Sequence, residues 1–338
     1  MSEHEEIVLK VENLHTYFHT TLGTVRALNG VSYTVPKGKV LGIVGESGCG
    51  KSVTSLSIMQ LVPHPGKIEQ GKITFNTARS VAGKNGWVDI TSFDRHSDEM
   101  HQIRGNEISM IFQEPMTSLN PIFTIGEQIA ETILLHQGVD KSEARQRSID
   151  ILSRVNMPNP ERIIDNYPHQ LSGGMRQRAM IALALSCTPT MLIADEPTTA
   201  LDVTTEAQIL DLMRELQADI GMSIMFITHN LGVVAQICDN VAVMYLGRIV
   251  ERASVDDLFH NSKHPYAAAL LQSIPRLGSR TREKLKVIRG TVPDPYSIVP
   301  GCPFHPRCDS FMPGVCDKSM PKITPVEPNH YVRCHLFE

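Results

Sequence analysis

No stretch of this chain is apolar for long enough to cross a membrane. The longest, such as residues 180–187, falls far short of the roughly 18–20 residues a span needs. Nor does it open on a leader: Met1-Ser2-Glu3-His4-Glu5-Glu6 is acidic and no apolar region follows. That predicts a protein kept in the cytoplasm, with any membrane role peripheral. A basic excess is also missing. A net charge of −4 and a pI near 6.4 give no electrostatic footprint for nucleic acid, so no nucleic-acid partner is expected. Low-complexity tracts, internal repeats and heptad stretches are absent. What is present is ordinary globular material: 338 residues, 41% hydrophobic and 20% charged, enough for two domains or for one large domain with an appendage. Of seven cysteines, four lie in the last 37 residues, and a reducing compartment argues against their being disulfides.

Strand-like patterning occupies residues 7–11, 31–35 and 40–44, and the last run feeds into a glycine-rich loop. A helix is expected over residues 53–61, stopped by Pro63 and Pro65. Short strands follow at 72–75 and 108–112. The polar, glycine-containing residues 76–94 between them read as a surface loop with a short hairpin. Residues 125–155 turn helical, and 171–187 read as a loop entering another helix. Apolar runs at 191–194 and 223–228 flank a helix at 204–220, and this strand–helix–strand order implies a parallel sheet. Beyond about residue 260 prolines become frequent and periodicity fades, which marks an appended C-terminal region.

Gly45-Glu46-Ser47-Gly48-Cys49-Gly50-Lys51-Ser52 fits G-x-x-x-x-G-K-[ST] in the strand-to-helix context that gives the motif its meaning. Glycines let backbone N–H groups turn toward phosphate oxygens, and the helix N-terminus adds partial positive charge. Lys51 is then expected on the β- and γ-phosphates and Ser52 on Mg²⁺. The alternative is a chance glycine-rich turn. A second candidate is the buried-strand run Met191-Leu192-Ile193-Ala194-Asp195-Glu196, where Asp195 suits magnesium and Glu196 suits an attacking water. Taken alone it would be an ordinary strand end. A third is Leu171-Ser172-Gly173-Gly174-Met175-Arg176-Gln177-Arg178, a second glycine-rich helix N-terminus, or by the plainer reading a Ser172 N-cap and a turn. One nucleotide does not need two clamps in one chain. The pair makes sense if the second clamp closes over a nucleotide held by another subunit.

With these three motifs in order, the chain resembles an ATP-binding cassette (ABC) ATPase. Residues 171–175 are similar to the family signature (Ser172, Gly173, Gly174, Met175), with Met175 where Gln is commoner. Gln113 resembles the glutamine that contacts Mg²⁺ and the water, and Ala200-Leu201-Asp202 resembles the loop that crosses the dimer interface. His229 resembles the histidine that contacts the γ-phosphate, and Phe18 (less well Tyr17) the aromatic that stacks on adenine. The resemblance implies an α/β P-loop NTPase of ABC type. It would have a RecA-like parallel-sheet core, an antiparallel β subdomain and a helical subdomain at about 114–171. Residues 1–260 would form the ATPase domain, and 261–338 a proline- and cysteine-rich extension. It further implies ATP hydrolysis with Glu196 as water-orienting base, His229 as γ-phosphate sensor and Lys51 with Mg²⁺ as charge stabiliser. A P-loop kinase or GTPase would leave residues 171–175 unexplained. A soluble ABC ATPase acting on DNA or ribosomes is the rival from another class, but such proteins tend to carry coiled-coil insertions or two cassettes.

Cys302, Cys308, Cys316 and Cys334 form C-x5-C-x7-C-x17-C. Four thiols in a proline-rich cytosolic stretch suggest a tetra-thiolate metal site; the spacing does not favour zinc, and four thiolates equally suit an iron–sulfur cluster. Cysteines filling a small core, or a mixed zinc site using His305, His330 or His335, remain open on the residues alone. Glu114-Pro115-Met116-Thr117-Ser118-Leu119-Asn120-Pro121, Tyr167-Pro168-His169-Gln170 and His264-Pro265-Tyr266 are similar to the oligopeptide/dipeptide branch of ABC importers. That branch carries a similar cysteine block in one of its two ATPases, which implies a [4Fe–4S] cluster on the four cysteines. It also implies peptide import at the cytoplasmic face of the inner membrane. The partners would be a second ATPase (a related paralogue or itself), two permeases and, indirectly, an extracytoplasmic binding protein. Nickel or oligosaccharide cargo is the alternative within the branch. The polar segment at 77–87 matches nothing in it.

Overall fold

The computed structural model describes residues 6–81, 83–113, 118–199, 201–273 and 288–338. Glu114-Pro115-Met116-Thr117 and Ala200, singled out above, lie outside the described residues, as do Met1 to Glu5 of the acidic start. The chain divides into two compact units. The first comprises Met1–Leu9, Val35–Lys39 and Thr74–Phe226, and the second Lys10–Thr34, Val40–Ile73 and Ile227–Glu338.

In the second unit, strands β1 (Ile7–Thr20, from Lys10 onward), β2 (Gly23–Pro36, to Thr34) and β4 (Gly66–Val81, to Ile73) run side by side in the order β2-β1-β4. The strand β3 (Val40–Val44) is buried at every position, as its unbroken aliphatic run requires of a strand covered on both faces. It pairs in parallel with β9 (Asn240–Tyr245), with Leu41 opposite Asn240 and Val44 opposite Val243. Beyond β9 the sheet continues antiparallel through β10 (Arg248–Ser254) to β12 (His330–Val332) and β11 (Thr324–Glu327). The proline- and cysteine-rich tail is therefore stitched into this sheet, with Glu251 opposite Val332 and Arg252 opposite Tyr331. A fully buried carboxylate reinforces the join. Glu251 accepts the N–H of Lys263 (2.7 Å) and of His264 (2.7 Å) and bonds His330 Nε2 at 2.8 Å. A buried carboxyl group with three polar partners is a different object from one left alone.

The first unit holds β6 (Ile108–Ile111) parallel to β7 (Met191–Asp195), with β8 (Ser223–Thr228, to Phe226) on the far side of β7. Its helices are punctuated by their own sequence. Ile125–Gln137 opens on a capping box of Thr124 and Glu127 and closes at Gly138, whose φ of 62° suits glycine. The next helix, Lys141–Arg154, is capped by Asp140. The helical residues expected over 125–155 are thus divided between two helices.

The polar residues 76–94 contain the short hairpin expected of them. They contribute the end of β4 and the strand β5 (Lys84–Asp89), with Asn76 opposite Trp87. Their anchor is Glu107, fully buried, whose carboxylate accepts from the Thr77 hydroxyl (2.8 Å), the Arg79 N–H (2.5 Å) and the Thr190 hydroxyl (2.5 Å). The Arg79 guanidinium reaches on to the Cys187 carbonyl at 2.7 Å.

Candidate functional site

The glycine-rich loop and the signature-like segment fall in different units. The second unit carries the loop. After β3 the chain turns at Gly45 and enters the helix Lys51–Ile58 with Gly50 as N-cap at φ 107° and no side chain capping it. Two of its glycines are forced by their surroundings. A Cβ on Gly45 would lie 2.2 Å from the Met244 carbonyl oxygen, and one on Gly50 would lie 2.5 Å from that of Ala27. Both neighbours are backbone, so nothing soft can yield. Lys51 is buried, and its ammonium donates to the carbonyls of Gly45 (2.8 Å) and Glu46 (3.2 Å). Cys49 is buried too, and burial pushes its thiol up, so it packs rather than reacts. Ser47 and Gly48 are exposed and Ser52 is half-buried. The result is a rigid turn with an uncapped helix start and a buried cation, which is what binding a phosphate chain requires.

Phe18 lies on β1, half-buried, close enough to Gly66 that a Cβ there would meet its ring at 2.6 Å. His229 follows the end of β8 directly and is exposed.

The first unit carries the acidic strand end and the signature-like helix. Asp195 closes β7 and is buried. The next residue, Glu196, holds φ at 47°, a region that non-glycine residues enter at a cost and that recurs at functional positions. Its carboxylate oxygen Oε2 accepts from Gln113 Nε2 at 3.1 Å and from the Thr199 hydroxyl at 3.1 Å. So two residues expected to meet a common water are in direct contact. Thr199 was not foreseen; an hydroxyl three residues after a turn glutamate has no signal of its own in sequence.

Helix Gly173–Leu185 begins at Ser172, whose hydroxyl accepts the Met175 N–H at 3.3 Å. Gly173 is exposed with nothing within 4 Å of a would-be Cβ, while Gly174 faces Thr205 Cγ2 at 3.0 Å. Further along, fully buried Gln177 donates its amide to the Pro197 carbonyl, tying this helix to the turn that carries Glu196. Asp202 caps helix Val203–Ile220 by accepting from Thr204 (3.1 Å) and Thr205 (3.0 Å). Those backbone bonds hold its carboxyl below the usual range.

The C-terminal cysteines do not bear out the metal expectation. Cys302, Cys316 and Cys334 are buried and Cys308 is half-buried. Burial first, and the neighbouring thiols Cys334, Cys316 and Cys308 after it, push Cys302 up to about 11. The four are thus near one another. Among the described residues, however, no three His, Cys, Asp or Glu side chains converge in an arrangement that would hold a metal ion. Of the histidines weighed as substitute ligands, only His335 has both ring nitrogens hydrogen-bonded. His305 Nδ1 faces the Cys302 carbonyl at 2.9 Å, His330 bonds Glu251, and His335 bonds Glu338 and the Ser319 carbonyl. The donor chemistry of the four thiols suits a thiolate-bound group.

Comparison with known proteins agrees with this geometry. The ABC transporter profile matches residues 28–199, and the profile of the oligopeptide/dipeptide transporter C-terminal region matches residues 250–316. Oligopeptide transport ATP-binding protein AppD of Bacillus subtilis is 49% identical over 332 residues, covering 98% of this chain and 97% of the relative. Dipeptide transport ATP-binding protein DppD of the same organism is 50% identical over 333 residues, covering 98% and 95%. Among solved structures, dimeric MJ0796, a bacterial ABC transporter cassette, aligns with a TM-score of 0.62 at 26% identity, over 73% of this chain and 98% of that one.

Proposed function

The chain belongs to the ABC transporter family, in its oligopeptide/dipeptide branch, and from that premise we propose that it binds MgATP and spends its hydrolysis on peptide import. The observation that carries the chemical part is the contact of Gln113 and Thr199 with Glu196, one residue beyond buried Asp195. In this reading residues 45–52 wrap the phosphates, with Lys51 turning its ammonium from the loop carbonyls to the β- and γ-phosphates. Ser52, Asp195 and Gln113 would hold Mg²⁺, which would offset charge on the transferred phosphoryl group. Glu196 orients the attacking water, Gln113 and Thr199 fix its carboxylate, and His229 contacts the γ-phosphate. Phe18 stacks on the adenine. Ser172, Gly173, Gly174 and Met175 close over the nucleotide of a second subunit, with Asp202 at that interface.

No helix among the described residues is long and apolar enough to cross a membrane. The transport role therefore calls for separate permease subunits, with this chain at their cytoplasmic face and a binding protein delivering cargo from outside. Residues 114–171 are the segment assigned to permease docking, so that closure of the ATPase pair is passed to the membrane. The second ATPase is a related paralogue or another copy of this chain. Peptide cargo rests on the relatives' names, and nickel or oligosaccharide remains the alternative. The four cysteines have the donor chemistry for a [4Fe–4S] cluster, with zinc the lesser candidate, and no step of hydrolysis passes through them. Iron and sulfide absent from an anaerobic preparation would remove that assignment.

The test of the central claim is Glu196→Gln, assayed for nucleotide binding and turnover separately. Retained MgATP affinity with turnover lost supports the role; turnover near that of the unmodified protein would end it.

A further inference from the structure

The phosphate loop is gripped from outside its own motif. Arg307 stands between two of the C-terminal cysteines, in Cys302-Pro303-Phe304-His305-Pro306-Arg307-Cys308, and is 261 residues from Glu46 along the chain. Its guanidinium forks onto the Glu46 carboxylate, Nη1 to Oε2 at 2.7 Å and Nη2 to Oε1 at 2.9 Å. The Arg307 side chain is only 4% exposed and that of Glu46 is 26% exposed, so this is not a solvated surface pair. Nη1 also donates to the Tyr245 hydroxyl at 3.4 Å, and Nε donates to the Arg289 carbonyl at 3.0 Å. The other end of Glu46 is held as well: its N–H donates to the Tyr266 hydroxyl at 2.9 Å. Behind these contacts the rings of Tyr245, Tyr266 and Phe304 pack with centroids 4.6–5.3 Å apart.

A carboxylate in a loop built to receive a polyanion works against the ligand unless a cation answers it. Glu46 is the one acidic side chain in residues 45–52. A bidentate guanidinium both cancels that charge and fixes its direction, which a lysine could do only in part. We propose that Arg307 is a positioning residue of the nucleotide site. By neutralising Glu46 and holding the entry of the phosphate loop, it makes the cysteine-bearing tail a working part of triphosphate binding. The proposal rests on the reading of residues 45–52 as the nucleotide loop.

The experiment is MgATP binding to the full-length chain by calorimetry, with thermal unfolding of each variant alongside. Arg307→Met should weaken MgATP on the order of tenfold, because it leaves an unanswered carboxylate in the loop. Arg307→Lys should lose less. Adding Glu46→Gln to Arg307→Met removes that carboxylate and should restore affinity to within roughly threefold of the unmodified protein. Simple docking of the tail predicts otherwise, since glutamine cannot replace the lost packing. If the double variant binds as weakly as Arg307→Met, or if Arg307→Met binds MgATP normally, the proposal is overturned. Should Arg307→Met fail to fold, Arg307→Lys alone and combined with Glu46→Gln still decide: weaker MgATP binding by Arg307→Lys that adding Glu46→Gln restores supports the proposal, and equal binding by the two defeats it. Lys51→Ala separates the two levels of inference. If the unmodified chain and Lys51→Ala bind MgATP alike, the nucleotide loop itself is misassigned and the role of Arg307 falls with it.

Discussion

Two glycine-rich segments each open a helix in this chain, and they use glycine for opposite reasons. Before helix Lys51–Ile58, Gly45 and Gly50 have backbone oxygens 2.2 and 2.5 Å from where a Cβ would stand, and Gly50 caps the helix in a left-handed conformation. The chain's own packing demands those glycines. Before helix Gly173–Leu185 the cap is Ser172 in extended backbone, and a Cβ on Gly173 would meet nothing within 4 Å. At a helical position with open space alanine is better than glycine by roughly 0.5–1 kcal/mol. No described residue requires Gly173, which leaves the surface there open to an approaching partner. That supports its assignment to a second subunit's triphosphate. Motif glycines that look alike in sequence can answer to the fold or to a partner, and the space around the missing Cβ tells which.

The largest expected effect tests whether the two segments share one nucleotide. Glu196→Gln should lower turnover by about 10²-fold or more while MgATP still binds, and it should accumulate an ATP-dependent pair of subunits visible by light scattering. Adding Gly173→Ala to it should abolish the pair and leave binding by the single chain intact. A pair that persists in the double variant would break the comparison, since the signature-like segment would then not be closing over anything.

Substituting the glycines singly sharpens the same contrast. Gly50→Ala forces a Cβ onto the Ala27 carbonyl at positive φ, and should cost about 1–3 kcal/mol of stability and most of the MgATP affinity. Gly173→Ala should instead raise urea resistance by about 0.5–1 kcal/mol and lower only turnover. If both variants destabilise alike, the two segments do not differ in the way their surroundings indicate.

How much of this was legible beforehand follows from how local each feature is. The run 223–228 is strand β8 as read, because its four consecutive apolar residues, Ile224 to Ile227, are a local signal that needs no partner to be recognised. β1 extends to Thr20 although only residues 7–11 read as a strand. Beyond Val11 polar residues alternate irregularly, and Asn13 adopts φ 47°, which interrupts the period-two pattern. The helical stretch at 125–155 breaks at Gly138 and restarts at Asp140, a stop-and-start signal that was present in the sequence. The phosphate loop was readable because phosphate binding is written into eight consecutive residues. The grip of Arg307 on Glu46 was not: no periodicity links positions 261 residues apart, and the neighbouring cysteines drew the inference toward metal chemistry. In the cysteines the donor types were legible and their spatial arrangement was not.

The least direct expected effect concerns acid, and it separates the units that hold the two segments. Among the described residues, the buried histidines, His264 and His330, both belong to the second unit. Burial pushes His264 down to about 3, and its Nδ1 accepts the Tyr266 N–H at 3.0 Å as the N-cap of helix Pro265–Gln272. Unfolded, the same side chain titrates near 6.5. Between those values the folded chain binds fewer protons than the unfolded one. The stability His264 contributes is therefore complete above about pH 6.5 and is lost as pH falls toward 3, by at most about 1.4 kcal/mol per pH unit. Because Tyr266 holds the Glu46 N–H, the loss should reach the phosphate loop. Hydrogen exchange at pH 5 compared with pH 7 should show protection falling in β9 and β10 before it falls in β6 and β7. His264→Asn keeps the cap without the titration and should remove that difference. Equal loss of protection in both regions, or a difference that survives in His264→Asn, would show that the acid response arises elsewhere.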